Sequence, residues 1–376
     1  MLRFLDGGES HGEGLYAIIE GLPSNFEVSI EKINKELSRR QVGYGRGGRM
    51  AIEKDEVQIL SGVSQGKTTG APITLCIKNK DYENWKDLSK EDTFVSVPRP
   101  GHGDLTGELK YHTGDLRNSI ERSSARETAI RTAVGALCRG ILRELNIDIR
   151  SKVYALHDTV DGQADLFDEE VYYKIERSHM RVIHVEKQMM DLIDKTKALG
   201  DTLGGWVYVS IRGAMKGLGS FMHYDRRLEG LLAQAIMSIQ GVKQVSIGEP
   251  GESRMGSEYH DAIYLEEGMV SRRTNKVGGI EGGISNGEDI LVFAYMKPIP
   301  SLIKKIPSVD LKTMKETESR YERSDVTGIV PLSIVMENVL AFELLRIILD
   351  TFSRDEREEL QQAIEKKRCS EENLKL

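Results

Sequence analysis

Residues 121–127 carry the densest set of side chains suited to chemistry, in the order Glu121-Arg122-Ser123-Ser124-Ala125-Arg126-Glu127. The spacing of Ser124 and Glu127 predicts a capping box, in which each side chain accepts a backbone N–H at the start of a helix. An apolar run from Ala129 to Leu145 follows and predicts a helix buried in the core. Hydroxyl and guanidinium groups at the positive end of a helix suit the binding of a phosphate or carboxylate. An ordinary capped helix with surface arginines explains the stretch equally well.

A second arginine-rich stretch, Gly43-Tyr44-Gly45-Arg46-Gly47-Gly48-Arg49, contains the pattern G-x-G-x-x-G. In a dinucleotide-binding fold this pattern needs a strand before it and a helix after it. A charged helix capped by Ser29 is predicted before it and extended residues after it, so we favour an anion-binding loop. Its glycines let the backbone approach a multiply charged anion, and Arg40, Arg46 and Arg49 supply the cations. A solvated surface loop stays open as an alternative.

Two of the eight histidines lie in glycine-rich loops, His11 within residues 8–12 and His102 within residues 99–103. Such loops hold a histidine in place without burying it, as proton transfer near neutral pH requires. A structural role is the alternative for each histidine. The sequence contains no H-E-x-x-H, no C-x-x-C and no acidic calcium or magnesium loop, so no metal site is predicted.

The composition is typical of a folded protein of a reducing compartment. The chain has 376 residues, of which 39% are hydrophobic, enough for a substantial core. Lys plus Arg is 52 and Asp plus Glu is 59, and the net charge of −7 disfavours a general nucleic-acid surface. The three cysteines form no disulfide framework or zinc pattern. Without an apolar signal segment after Met1 or a run of ~18 apolar residues, we expect a cytoplasmic protein that binds no membrane.

The elements that must position these side chains are scattered strands and several long helices. Because the strands do not alternate strictly with helices, an α+β fold is favoured over α/β. Amphipathic helices are predicted from Leu228 to Ile239 and, behind Pro331, from Leu332 to Phe352. Residues 165–201 are predicted to be a polar, helical, peripheral segment, and residues 353–376 a charged helix or frayed tail. Strand-like runs are found at residues 15–19, 73–77, 152–156, 206–211, 262–265 and 290–295.

Seven stretches of the sequence resemble motifs of the chorismate synthase family. Three resemble its signature motifs, at residues 8–12, 121–128 and 323–338. The others begin at Arg39, Arg99, Gly278 and Lys297. Together they extend over residues 1 to 350, in order, which makes the resemblance very specific. Three departures concern fine tuning only: Gly103 stands where the family usually has Ala, Lys276 where it usually has Arg, and Ser301 where it often has Thr.

The resemblance implies a β-α-β sandwich with core helices between antiparallel sheets, a single domain over residues 1–376 and a homotetramer. It also implies the conversion of 5-enolpyruvylshikimate 3-phosphate to chorismate and phosphate in the shikimate pathway, with reduced FMN required but not consumed. This 1,4-elimination removes a ring hydrogen that no adjacent carbonyl acidifies, so a flavin that transiently donates an electron supplies what acid–base groups lack. No reductase domain is evident, so an external reductant would keep the flavin reduced, with NADPH as a candidate electron source.

The resemblance also implies roles for individual residues. His11 would protonate the departing phosphate and His102 would contact the reduced flavin. Ser10 and Ser124 would relay protons. Asp325 would serve proton removal, on or through the flavin N5 position; as an alternative it would be a helix-entrance residue. The arginines expected to bind the substrate anions are Arg40, Arg46, Arg49, Arg99, Arg126 and Arg323. The expected FMN contacts are Arg122, Ser123, Ser124, Gln234, Ala235, Gly282, Lys297, Pro298, Ile299, Pro300, Ser301 and Arg323.

Two other functions stay open at this point. A net FMN oxidoreductase would consume its reduced cofactor in stoichiometric amounts. A phosphate- or RNA-binding module would use the Arg/Gly loop and bind polyanions with a strong dependence on salt. The acidic net charge and the lack of aromatic interleaving in that loop count against such a module.

Overall fold

The computed structural model describes residues 1–46, 54–250, 255–266, 268–322 and 325–372 of the chain. Its β-strands, in chain order, are β1 (Arg3–Gly8), β2 (Gly14–Glu20), β3 (Val57–Ile59), β4 (Val63–Ser64), β5 (Lys67–Thr68), β6 (Ile73–Lys78), β7 (Asp148–Leu156), β8 (Thr159–Val160), β9 (Gly205–Arg212), β10 (Val242–Ile247), β11 (Ile263–Glu266), β12 (Met269–Arg272), β13 (Ile280–Glu281), β14 (Ile284–Ser285), β15 (Ile290–Met296), β16 (Pro307–Asp310) and β17 (Lys315–Glu318). Its α-helices are α1 (Ile30–Gln41), α2 (Lys90–Thr93), α3 (Asp104–Tyr111), α4 (Leu116–Ser123), α5 (Thr128–Glu144), α6 (Glu169–Arg177), α7 (Glu186–Ala198), α8 (Leu228–Met237), α9 (Gly256–Tyr259), α10 (Ile329–Phe352) and α11 (Arg357–Glu372).

The two main sheets are both antiparallel. The first has the strand order β1-β2-β6-β3 and the second the order β10-β15-β9-β7-β8. In β2, Leu15, Ala17 and Ile19 are buried while Tyr16 and Ile18 are exposed, because successive side chains of a strand point to opposite faces. The first sheet therefore turns one face to the core and the other outward.

Helices α1, α5 and α10 form the layer between the two sheets. Helix α5 packs against β2 and β6 of the first sheet and against α10, which in turn packs against β7 and β9 of the second sheet. The two helices approach closely at Gly135, where an added Cβ would lie 2.0 Å from the backbone oxygen of Asn338. Both helices are buried on almost every side, as expected for helices with protein all around them. The predicted α+β sandwich with core helices between antiparallel sheets is confirmed.

The predicted capping box is wrong. Helix α4 ends at Ser123. The next residue, Ser124, has an extended backbone, and a short 3-10 turn, Ala125–Glu127, follows it. The Ser124 hydroxyl accepts the N–H of Arg126 at 3.2 Å, and α5 begins after this turn. The carboxylate of Glu127 accepts instead from the side-chain amide of Gln240 at 2.9 Å. A contact distant in sequence has replaced the local one.

The segment of residues 165–201 is helical, as predicted, and contains α6 and α7. Ile175 in α6 and Ile193 in α7 are fully buried, whereas Tyr173 and Leu199 of the same segment are exposed. The predicted charged tail contains helix α11, and Leu360 of that helix is also in the core. None of the described helices combines the length and the apolar character needed to cross a membrane.

Candidate active site

A cavity of about 630 Å³ lies where the loop after β1, the end of α4, the start of α10 and the segment after β15 meet. Small-molecule sites usually have volumes of about 300 to 1,000 Å³. Residues far apart in the sequence converge on it. The predicted site residues that line the cavity are Ser10, His11, Arg40, Arg46, Arg99, His102, Ser123, Ser124, Arg126, Lys297, Pro298, Ile299, Pro300, Ser301 and Asp325.

His11 lies in the loop after β1, and contacts at one edge and on one face of its ring hold it in place. Its backbone N–H donates to Glu121 Oε2 at 2.7 Å, and its Nδ1 lies 2.8 Å from Glu121 Oε1. The ring stacks on Trp85, with 4.0 Å between the ring centroids and 28° between the planes. Burial acts to raise the pKa of Glu121, but the hydrogen bonds with His11 and the charge of Arg117 outweigh burial and lower it. Glu121 is therefore a charged partner for the His11 ring.

Two hydroxyl groups meet beside this histidine. The Ser124 hydroxyl donates to Ser10 Oγ at 3.2 Å, and Ser10 is almost fully buried. The N–H of Ser10 donates to the backbone oxygen of Glu121 at 3.3 Å. Because each hydroxyl can both donate and accept a hydrogen bond, the pair can pass a proton along.

His102 also faces a carboxylate through Nδ1. The ring nitrogen forms a short hydrogen bond with Asp104 Oδ1, and Arg99 Nη2 lies 3.0 Å from the same nitrogen. Asp104 is fully buried at the start of α3 and accepts from Arg99 at 3.0 and 3.1 Å. Burial acts to raise the pKa of Asp104, but the bonds from His102 and Arg99 outweigh it and lower the pKa. The loop before α3 thus holds His102 rigidly at the cavity wall.

Arg40 and Arg126 share one buried carboxylate. Arg126 Nη1 lies 2.7 Å from Asp55 Oδ1, and Arg40 Nη1 lies 3.5 Å from Asp55 Oδ2. Arg40 also donates to Thr128 Oγ1 at 2.9 Å. Burial, with the positive charges of Arg126 and Arg46, outweighs Asp55 and lowers the pKa of Arg40 to about 10. Asp55 thus holds two guanidinium groups at the cavity wall.

Arg46 and Asp325 form an ion pair at the cavity wall, with 2.7 Å between Arg46 Nη1 and Asp325 Oδ2. Burial lowers the pKa of Arg46, although the negative charges of Asp325 and Asp55 oppose it. Helix α10 begins at Ile329 with Gly328 as its N-cap residue. Asp325 is therefore not the N-cap residue of that helix, and its carboxylate faces Arg46.

The segment after β15 forms an apolar wall of the cavity, with Pro298, Ile299 and Pro300 among its lining residues. Lys297 in the same segment donates to the backbone oxygen of Gly101. Burial, with a smaller contribution from a neighbouring lysine, lowers the pKa of Lys297. An apolar wall opposite cationic groups suits a ligand that has both a ring system and negative charges.

Comparisons with known proteins connect this cavity to a family. A family model described as chorismate synthase matches residues 2–349. The chain belongs to the chorismate synthase family. It is 53% identical over 371 residues to a protein from Clostridium tetani named chorismate synthase, with 97% of this chain and 96% of the relative covered. It is 45% identical over 384 residues to a chorismate synthase from Staphylococcus aureus, with 98% of each covered. A crystal structure of a chorismate synthase matches with a TM-score of 0.81 at 38% identity, covering 99% of both chains.

The described residues that line the cavity do not include four that the chorismate synthase resemblance assigns, Arg122, Gln234, Ala235 and Gly282. Arg122 is half exposed and pairs with Asp6 at 2.8 Å, because the helical turn of α4 directs it away from its neighbour Ser123. Gln234 is exposed on α8, and Gly282 is exposed in the turn between β13 and β14. Ala235 is half-buried against the core, and the other three positions lie on the surface of the chain.

Two further arginines assigned from the family, Arg49 and Arg323, lie outside the described residues. Within the described part of the chain, no group of three or more His, Cys, Asp and Glu residues could hold a metal ion. The cavity is lined by arginines, histidines and hydroxyl groups, together with the carboxylates of Asp81, Glu322 and Asp325.

Several residues of the cavity region are not predicted from the sequence, among them Glu121, Asp104, Trp85 and Asp55. Glu121 lies in a chorismate synthase motif, and Asp104 follows His102 by two residues. For both residues, the sequence signal is a carboxylate close to a candidate site residue. Trp85 and Asp55 carry no such local signal. Folding alone brings Trp85 to a histidine and Asp55 to two arginines.

Proposed function

We propose that this chain is a carbon–oxygen lyase that converts 5-enolpyruvylshikimate 3-phosphate to chorismate and phosphate, with reduced FMN as its cofactor. The observation that carries the proposal is one cavity lined by both loop histidines, the hydroxyl pair and the arginines. Loss of phosphate needs an acid at the leaving oxygen, cations at the anionic groups and a base for the ring hydrogen. Side chains of each kind are present there, and relatives named chorismate synthase cover nearly the whole chain.

The arginines would bind the phosphate and the two carboxylates of the substrate. Arg40, Arg46 and Arg126 have Asp55 and Asp325 as their carboxylate partners. Since guanidinium groups form charge-assisted, bidentate hydrogen bonds with phosphates and carboxylates, this arginine cluster suits an anionic ligand. We assign the same role to Arg99 and, beyond the described residues, to Arg49 and Arg323.

The side chains of the cavity fit a flavin mononucleotide, which has a flat ring system, a polyhydroxyl chain and a phosphate. The residues that would hold it are the apolar wall of residues 298–300 and the polar groups of Lys297, Ser301, Ser123 and Ser124. When bound in its reduced form, this cofactor supplies an electron transiently for the cleavage of a C–O bond. His102, fixed by Asp104, would contact it in the same cavity.

Proton transfer would use the chain's own side chains. Because Nδ1 of His11 faces Glu121, the ring would donate to the departing phosphate from Nε2. The hydroxyl pair of Ser10 and Ser124 would carry protons along the wall. A carboxylate oxygen of Asp325, held in place by Arg46, would accept the ring hydrogen as a proton.

We further infer that the protein works in the cytoplasm as a homotetramer with an external flavin reductant. The exposed positions of Gln234 and Gly282, and the half-buried position of Ala235 beside Gln234, would let these residues contact the flavin of a neighbouring copy. Exposed apolar side chains support an assembly, among them Phe221 beside Gly282 and Leu265 in β11. Sedimentation at the assay concentration tests this inference, and a fully active monomer would contradict it.

Anaerobic phosphate release tests the proposed reaction. Purified protein with substrate and a small amount of reduced FMN should release phosphate over many turnovers per flavin, and omission of reduced FMN should stop the release. Consumption of one reduced flavin per phosphate would favour a net oxidoreductase instead. Polyanion binding that weakens steeply with salt, without phosphate release, would favour a binding module.

A further inference from the structure

We infer that Glu121 is a positioning residue that fixes the tautomer of His11, while Trp85 holds the plane of the His11 ring. The use of His11 as a proton donor rests on the proposed function. The placement of its ring by Glu121 does not, because it follows from contacts within the protein.

Glu121 anchors the whole turn that follows β1. Its two carboxylate oxygens face the backbone nitrogen and Nδ1 of His11 at 2.7 and 2.8 Å, and its backbone oxygen accepts the N–H of Ser10 at 3.3 Å. Glu121 is only 8% exposed, so water competes little for its carboxylate oxygens. Three contacts from one residue therefore set the position of Ser10 and His11 together.

Helix α4 also holds the face of the ring. Arg117, one turn before Glu121, lies 3.5 Å from Glu121 Oε1 and 5.1 Å from the centre of the Trp85 ring. Trp85 in turn stacks on His11 with 4.0 Å between the centroids. One face of this helix thus supports both the partner at the ring edge and the aromatic ring on which His11 lies.

The hydrogen bonds allow one tautomer. A backbone N–H can only donate and an ionised carboxylate can only accept, so both oxygens of Glu121 are acceptors. Nδ1 of His11 must then carry the hydrogen that Oε1 accepts. Nε2 is left as the nitrogen that gains and loses a proton, and it is the atom that can serve the substrate.

Glu121→Gln should reverse this tautomer with little change in shape. The amide oxygen of the glutamine must face the backbone N–H of His11, because a backbone N–H can donate a hydrogen bond but cannot accept one. The amide NH₂ then faces Nδ1, which must accept, so the ring hydrogen moves to Nε2. A comparable exchange of a buried carboxylate for an amide behind a catalytic histidine costs serine proteases about 10⁴-fold in turnover. We expect a loss of at least ~10²-fold in kcat, with KM for the substrate changed by less than about threefold.

Nitrogen NMR of protein labelled with ¹⁵N-histidine, in alkaline buffer, measures the tautomer directly. The His11 signals are those that disappear in His11→Gln. Wild-type protein should show Nδ1–H and Glu121→Gln should show Nε2–H. An Nε2–H ring in wild-type protein would overturn the inference even if the variant failed to fold, and so would an unchanged tautomer with normal turnover in a folded variant.

Glu144→Gln is the matched control. The carboxylate of Glu144 also accepts a backbone N–H, from Glu27 at 3.3 Å, and it also faces a cation, Arg357 at 2.9 Å. Unlike Glu121, it lies away from the cavity and its histidines. This variant should leave the His11 signals and the turnover unchanged. The NMR measurement needs neither substrate nor flavin. If the proposed function failed, wild-type protein would show Nδ1–H and no phosphate release; if only this inference failed, phosphate would be released with the other tautomer.

Discussion

Arg39 and Arg40 are neighbours at the end of α1, yet they belong to two different clusters of charged side chains. Arg39 reaches a cluster in the interior, in which it lies 2.6 Å from Glu337 and 2.5 Å from Glu36. Arg40 reaches the cavity, in which it shares Asp55 with another arginine. Adjacent positions on a helix differ by about 100° in direction, so two identical side chains can face different surroundings.

The interior cluster pairs buried arginines with carboxylates. Its arginines are Arg39, Arg139 and Arg181, and its carboxylates are Glu36, Glu176 and Glu337. Burial acts against the charged form of Arg39, but Glu337 and Glu36 outweigh burial and raise its pKa well above the usual value. Since Glu337 lies on α10, Arg139 on α5 and Arg39 on α1, this cluster ties the three central helices together.

The cavity cluster differs from the interior cluster in the direction of its pKa shifts. Arg40, Arg46 and Arg126 face Asp55 and Asp325, and burial with the neighbouring arginines lowers the pKa of Arg40 to about 10. The opposite directions of the two pKa shifts distinguish the two clusters. We expect loss of one partner in the interior cluster to destabilise the fold, and we expect the cavity arginines to bind an anionic ligand.

The largest effect on stability should come from Glu337→Gln. Its carboxylate is fully buried against three arginines, and removal of one partner from such a group costs about 3 to 5 kcal/mol of unfolding free energy. Urea unfolding measures the loss. Asp350→Asn on the same helix removes an exposed partner of Arg346 and should cost less than about 1 kcal/mol. Equal losses in the two variants would show that the interior cluster does not hold the helices.

Asp325→Asn should, in the folded protein, lower anaerobic turnover by at least ~10²-fold, because the carboxylate would act as the base of the reaction. Binding of substrate and of FMN should be retained. Asp168→Asn is the control, since Asp168 caps α6 and asparagine is an equally good cap, so turnover should stay normal. Near-normal turnover of Asp325→Asn would assign Asp325 to charge balance with Arg46 alone.

We expect acid to weaken the interior cluster. Burial acts to raise the pKa of Glu176, but Arg181 and Arg39 outweigh burial and lower it to about 2. A carboxylate with a pKa below its unfolded value of ~4.3 stabilises the fold above that pH, and the stabilisation is lost as the pH falls toward the folded pKa. Between about pH 6 and about pH 3, wild-type protein should lose on the order of 2 kcal/mol more unfolding free energy than Glu176→Gln. Equal losses, measured by urea unfolding, would contradict this assignment.

The sequence predicts the parts of the molecule whose signals are local. The strand-like runs at residues 15–19 and 206–211 lie within β2 and β9, and the glycine-rich loops of His11 and His102 meet in the cavity. The capping box of Ser124 fails because a distant amide takes the carboxylate that the local pattern requires. The choice of Arg40 over its neighbour Arg39 rests on the anion-binding-loop prediction and the family resemblance, since the helical pattern of α1 does not give the rotation of this helix against its neighbours.

The most direct test of the two-cluster account is a side-by-side measurement of Arg39→Gln and Arg40→Gln, by urea unfolding and by calorimetric binding of 5-enolpyruvylshikimate 3-phosphate. Arg40→Gln should weaken substrate binding by about 1.5 to 3 kcal/mol, the range for a hydrogen bond to a charged group, while stability is kept or increased. Arg39→Gln should lower stability and, in the folded protein, bind substrate within about threefold of wild type. Equal loss of substrate affinity in both variants, with equal stability, would contradict the account.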